Sequence, residues 1–81
     1  MIADLDQLVR RLLSDIAPDI DFDTMDPTMD IRDAADIDSV DYLNFIEAVH
    51  AATGIDIPER DYVHVRTIEG CRTYLERRLA P

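Results

Sequence analysis

The residues with the means to do chemistry gather at Asp36-Ile37-Asp38-Ser39-Val40-Asp41, where a single serine stands among carboxylates at the head of a run with helical spacing. Such a serine has three employments: nucleophile, helix cap, or anchor for another group. Nucleophilic catalysis needs a histidine within hydrogen-bond reach and an oxyanion site. His50 lies eleven residues further on, about 16 Å away along one helix, and the flanking residues lack the glycines of a nucleophile elbow. No catalytic residue is therefore assigned. Capping is favoured because Asp and Ser oxygens satisfy unpaired backbone N–H groups at helix starts. Attachment of a phosphate-linked group is also permitted, because a helix's first turn offers unpaired donors and a partial positive charge. Local spacing leaves these two readings open.

The remaining reactive side chains form no recognisable centre. His50, His64 and Cys71 are isolated from one another, which gives no zinc spacing, and one cysteine forms no internal disulfide. Asp19-Ile20-Asp21-Phe22-Asp23 places carboxylates at alternate positions, with Asp30 twelfth, in the manner of a calcium loop. Thr24 occupies the place where that loop needs glycine, Asp30 is not the bidentate glutamate, and Pro27 interrupts it. A solvated acidic loop is expected, and no metal site.

A chain of 81 residues with 47% apolar content supports one small domain over 1–81, with too little chain to surround a deep enzyme cleft. A net charge of −10 opposes nucleic acid and anionic membrane surfaces as partners. All eight basic residues are arginine. Neither a signal-peptide pattern nor an apolar run of spanning length is visible, so a soluble, cytoplasmic monomer is expected.

Apolar residues at Ile2, Leu5, Leu8, Val9, Leu12, Leu13 and Ile16 recur three and four apart, predicting an amphipathic helix that Pro18 stops. A long acidic connection follows to about Ile37, with Ile20, Phe22, Met25, Met29 and Ile31 available to pin it to a core. Asp38 is the expected N-cap of a helix over about Ser39–Thr53, closed by Gly54. Its core side would hold Tyr42, Leu43, Phe45, Ile46 and Val49; its outer side would hold Val40, Asp41, Asn44, Glu47, Ala48 and Ala51. Pro58 is placed to start a short helix to about Val63. Thr67 caps a last helix to about Leu79, with Ile68, Cys71, Leu75 and Leu79 at core spacing and Arg77 and Arg78 near its negative end. The expected fold is all-α: a small bundle of three main helices plus one short helix, with a long first loop.

Asp38-Ser39-Val40 resembles the Asp-Ser-Leu/Met signature of acyl carrier proteins, whose serine is esterified by 4′-phosphopantetheine. Gly54-Ile55-Asp56-Ile57-Pro58 is similar to that family's Gly-(Ile/Val)-x-Ile-Pro, and Thr67-Ile68 opens the last helix as in the family. The resemblance covers nearly the whole chain, including the long acidic loop. Two features depart from it: Ala35-Asp36 replaces the usual Leu-Gly, and Asn44, Ala48, Ala51 and Ala52 occupy places often held by acids.

By this resemblance Ser39 carries 4′-phosphopantetheine, placed there from coenzyme A by a phosphopantetheinyl transferase, and the arm's thiol holds acyl groups as thioesters. Asp38 caps the helix and directs the serine. Asp36, Val40, Asp41, Asn44 and Glu47 are the expected contacts for acyl-loading and acyl-transferring enzymes with basic docking patches. Phe45, Ile46, Val49, Ile68 and Tyr74 would line an acyl pocket if the core opens to one. The chain itself is expected to be no enzyme, and to serve a specialised lipid or polyketide-type pathway rather than housekeeping fatty-acid synthesis. The alternatives are a peptidyl or aminoacyl carrier, or an acidic interaction module or calcium-binding module without a prosthetic group.

Overall fold

The computed structural model describes residues 5–79. Ile2, expected on the first apolar stripe, lies outside them. Helix α1 (Leu5–Ile16) buries Leu5, Val9 and Leu13, one residue per turn along a single line. Leu8, Leu12 and Ile16 pack beside that line. On the exposed flank Arg10 pairs with Asp6 one turn earlier, at 2.7 Å, and its guanidinium lies over the Phe22 ring.

The long connection is pinned as its apolar residues require: Ile20, Phe22 and Met25 pack on the core and Ile31 is fully buried. Met29 differs from expectation, since it is 45% exposed. Carboxylates shape the loop locally, the Asp21 side chain accepting from Asp23 N–H at 3.0 Å and the Asp26 side chain from Thr28 N–H at 2.8 Å. One helical turn, α2 (Ile31–Ala34), interrupts the connection, with Asp30 as its N-cap.

Helix α3 (Ser39–Thr53) buries Tyr42, Phe45, Ile46 and Val49. Gly54 ends it at φ 73°, a left-handed backbone in which its N–H donates to His50 C=O at 2.8 Å. A 3-10 segment (Glu59–Val65) comes next; Pro58 precedes it in extended backbone as the cap rather than as its first residue, and the segment runs two residues beyond the expected end. Helix α4 (Ile68–Leu79) buries Ile68, Cys71 and Leu75, while Leu79, expected in the core, is 40% exposed in the last turn. Thr67 caps α4 by accepting from Gly70 N–H at 2.9 Å.

α1 packs against both α3 and α4, α2 against α3, and the 3-10 segment against α4. One apolar core results, drawn from every element. Among the described residues there is no strand, and the fold is the expected all-α bundle.

Candidate functional site

Ser39 is the first residue of α3, and its side chain is exposed. Asp38 before it is extended, so its carboxylate turns back to accept the Asp41 N–H at 2.8 Å while its carbonyl accepts the Tyr42 N–H at 3.0 Å. The N–H groups of Ser39 and Val40 precede that first helical bond and contribute to the positive end of the helix. The Ser39 hydroxyl bonds to no other described residue. His50 is engaged at the far end of α3, where Nδ1 lies 2.8 Å from Ile55 O. His64 lies on the 3-10 segment, lining a surface groove with Gly70 and Tyr74. Neither imidazole partners the serine, so the arrangement presents a hydroxyl without activating it.

The approach to Ser39 is held by the end of α2. Ile37 N–H reaches back to Arg32 C=O at 3.0 Å, the long bond of a Schellman turn. That turn requires a left-handed residue just before Ile37, and Asp36 supplies it at φ 54°. Asp is among the few side chains that tolerate this conformation. The departure from the family's glycine thus preserves the backbone turn and adds an exposed carboxylate three residues before the serine.

Three long-range bonds fix this corner to the rest of the bundle. The buried Tyr42 hydroxyl donates to Val65 C=O at 2.7 Å, Ile31 N–H to Arg66 C=O at 2.7 Å, and Glu69 N–H to Pro27 C=O at 3.0 Å. Burial holds the Tyr42 phenol well above its usual ionisation range. Edge-on contact with Tyr62 and the Arg32 guanidinium lying over the ring, 6.0 Å from its centroid, complete the packing of Tyr42.

Around the serine, Val40 is 66% exposed, Asp36, Asn44 and Glu47 are exposed, and Asp41 is half-buried. Leu43 was expected on the core side; at 45% exposure it belongs to the outer surface. It lies about 100° around the helix from Tyr42, beyond the edge of the buried arc. Charge is segregated along the chain: fourteen carboxylates oppose three arginines before Glu59, and four oppose five from Glu59 onward.

Phe45, Ile46, Val49 and Ile68 sit together in the packed core. Tyr74 packs at its margin, with its hydroxyl donating to Asp61 Oδ2 at 2.7 Å and Arg78 over its ring. Cys71 is fully buried, and desolvation pushes its thiol up to about 12, which makes it a packing residue. Among the described residues no group of three or more His, Cys, Asp or Glu is arranged to hold a metal ion. None of the described helices is long and apolar enough to cross a membrane.

A family model described as the phosphopantetheine attachment site matches residues 4–75. Comparison with the curated proteins and with the solved structures gives no match. The chain belongs to the phosphopantetheine-binding carrier domains, the family of the acyl carrier proteins, and provides a site for covalent 4′-phosphopantetheine.

Proposed function

We propose that, within this carrier family, the chain is an acyl carrier protein whose arm is esterified to Ser39 and which serves a specialised lipid or polyketide-type pathway. The observation that carries the assignment of Ser39 is its exposed hydroxyl, bonded to no described residue, at the capped first turn of α3. The residues fit the group. The free N–H groups of the first turn favour a phosphodiester, and the nearest carboxylate, Asp38, is occupied by the Asp41 N–H. When attached, 4′-phosphopantetheine supplies a terminal thiol that holds cargo as a thioester.

The chain's own residues provide placement. Asp38 fixes the start of α3 and with it the direction of the Ser39 oxygen. Val40 offers an apolar contact to partner enzymes, and Asp36, Asp41, Asn44 and Glu47 meet their basic and polar groups. Such rim contacts govern orientation and on-rate more than residence time, which suits a monomeric cytoplasmic shuttle that must leave each partner. The specialised pathway is supported by the thinned acidic surface at Asn44, Ala48, Ala51 and Ala52, which weakens steering toward strongly basic patches.

The cargo is tested on protein isolated from its native cells, treated with hydroxylamine to release thioester-bound groups as hydroxamates for mass spectrometry. Acyl hydroxamates are expected. Aminoacyl hydroxamates would instead make the chain an aminoacyl or peptidyl carrier.

A further inference from the structure

The first buried residue of α3 after Ser39 is Tyr42, and the next is Phe45. Beyond Tyr42 the core residues Phe45, Val49, Ile68 and Cys71 have no exposed surface. A cargo chain entering this core from an arm on Ser39 has to pass between two elements. Packing of α1 against both α3 and α4 closes two of the seams. The third lies between α3 and the 3-10 segment, which packs along α4 and meets α3 through side chains. Two tyrosines fill it.

Tyr42 stands in this seam with its hydroxyl donating to Val65 C=O at 2.7 Å. The Tyr62 ring meets it edge-on from the 3-10 segment, with centroids 6.4 Å apart, and the buried Phe45 ring lies 6.3 Å from it. Arg32, an exposed residue paired with Asp30 at 3.2 Å, lies over the same ring. The opposite wall is held as firmly. His64, Val65 and Arg66 are consecutive, and the carbonyl of each is engaged by a different element. Val65 C=O accepts from Tyr42 of α3, and Arg66 C=O accepts from Ile31 N–H of α2 at 2.7 Å. His64 C=O abuts Gly70 of α4 so closely that a Cβ there would stand 2.6 Å away. Parting the seam therefore breaks the Tyr42 bond and leaves a buried carbonyl unpaired.

Within the acyl-carrier reading, on which this rests, we propose that Tyr42, backed by Tyr62, seals the core against the cargo. The acyl group stays outside the bundle on its arm, and the chain is suited to short or oxygenated acyl groups rather than long alkyl chains. Hydration makes the distinction: a long alkyl chain held outside keeps its methylenes in water, whereas a short or oxygenated group is well solvated there. Phe45, Ile46, Val49 and Ile68 then serve packing alone and line no acyl pocket. Tyr42 and Tyr62 become the residues that determine which cargo suits the chain.

The test loads the chain with acetyl- or octanoyl-phosphopantetheine, using a broad-specificity transferase and the corresponding acyl-coenzyme A. Cleavage of each thioester by hydroxylamine is followed by intact mass and divided by the rate for the same acyl-coenzyme A. In the unsubstituted chain the two normalised rates are expected to agree within about twofold, since neither thioester spends time sheltered. Octanoylation is expected to leave Tm within about 2 °C of the acetyl form, because cargo outside the fold adds no binding to the folded state. Tyr42→Ala and Tyr62→Ala open the seam and should slow octanoyl cleavage by more than about twofold with acetyl cleavage unchanged. Tyr62 is half-buried and its hydroxyl bonds to no described residue, so Tyr62→Ala decides where Tyr42→Ala does not fold.

In the unsubstituted chain, octanoyl cleavage slowed by more than about twofold, or a Tm raised by more than about 2 °C, would overturn the seal while leaving attachment at Ser39 intact. Folded variants that protect the octanoyl thioester no better than the unsubstituted chain would overturn the role of the two tyrosines. Failure of the unsubstituted chain to accept either acyl-phosphopantetheine would overturn the carrier reading, and the seal with it.

Discussion

Replacing Asp38 separates two things its carboxylate does. Its oxygen accepts one backbone hydrogen bond, from Asp41 N–H at 2.8 Å, and its charge lies at the positive end of α3. Asp38→Ala removes both, which costs about 1–2 kcal/mol at an N-cap. Asp38→Asn keeps the acceptor and removes only the charge, costing about 0.3–0.5 kcal/mol. For a domain of this size each kcal/mol lowers Tm by about 4–8 °C. Thermal unfolding followed by far-UV circular dichroism should therefore show a fall of roughly 6–10 °C for the alanine variant and about 2–3 °C for the asparagine variant. The same cap holds the first turn that presents Ser39, so transfer of phosphopantetheine to Asp38→Ala should slow more than transfer to Asp38→Asn. Equal losses of Tm would refute the partition, because they would assign the whole effect to charge and none to the hydrogen bond.

Tyr42→Phe leaves Val65 C=O without its buried donor and should cost about 1–2 kcal/mol, read as a lowered urea midpoint; an unchanged midpoint would contradict the bond's role in anchoring α3. Gly70→Ala should destabilise despite the higher helix propensity of alanine, because its Cβ would stand 2.6 Å from His64 C=O, a backbone atom unable to swing aside. Overpacking of this kind costs about 1–3 kcal/mol and would be overturned by a raised Tm. Stability should also fall in alkali. The folded Cys71 thiol ionises near 12 rather than at its ordinary 9.0, so its contribution is complete below about 9 and is lost as pH rises toward 12. The unfolded chain releases its proton first, so the unfolding free energy falls by up to about 1.4 kcal/mol per pH unit, read as falling urea midpoints and flattened in Cys71→Ala. Tyr42 acts in the same direction from about pH 10 upward. Wild-type midpoints that stay level from pH 9 to 11 would show that neither group remains protonated by burial.

The main helices were legible because their apolar spacing and terminal residues agree: Pro18 after α1, Asp38 and Gly54 around α3, Thr67 before α4. Helix α2 escaped because four residues carry no periodic signal; its trace in sequence is Asp30, one more aspartate in an acidic loop, whose side chain caps Ile31–Ala34. Leu43 was misplaced because periodicity gives the direction of a buried face and not its width. The 3-10 segment outran its expected end because Tyr62 and Val65 find partners in α3, a tertiary cause. Ser39 and its cap were readable as local chemistry. Asp36 in a left-handed turn was foreshadowed only by the family's glycine at that position. The contact of Tyr42 with Tyr62 arises from packing the 3-10 segment beside α3, and no local pattern encodes such an encounter.

The central claim is that Ser39 anchors the arm. It is tested by incubating the unsubstituted chain and Ser39→Ala with coenzyme A and a broad-specificity transferase, then weighing both intact and mapping the modified peptide. The unsubstituted chain should gain the mass of one phosphopantetheine on the peptide containing Ser39, and Ser39→Ala should gain none. An adduct that persists in Ser39→Ala, or one mapped to another residue, would contradict the account.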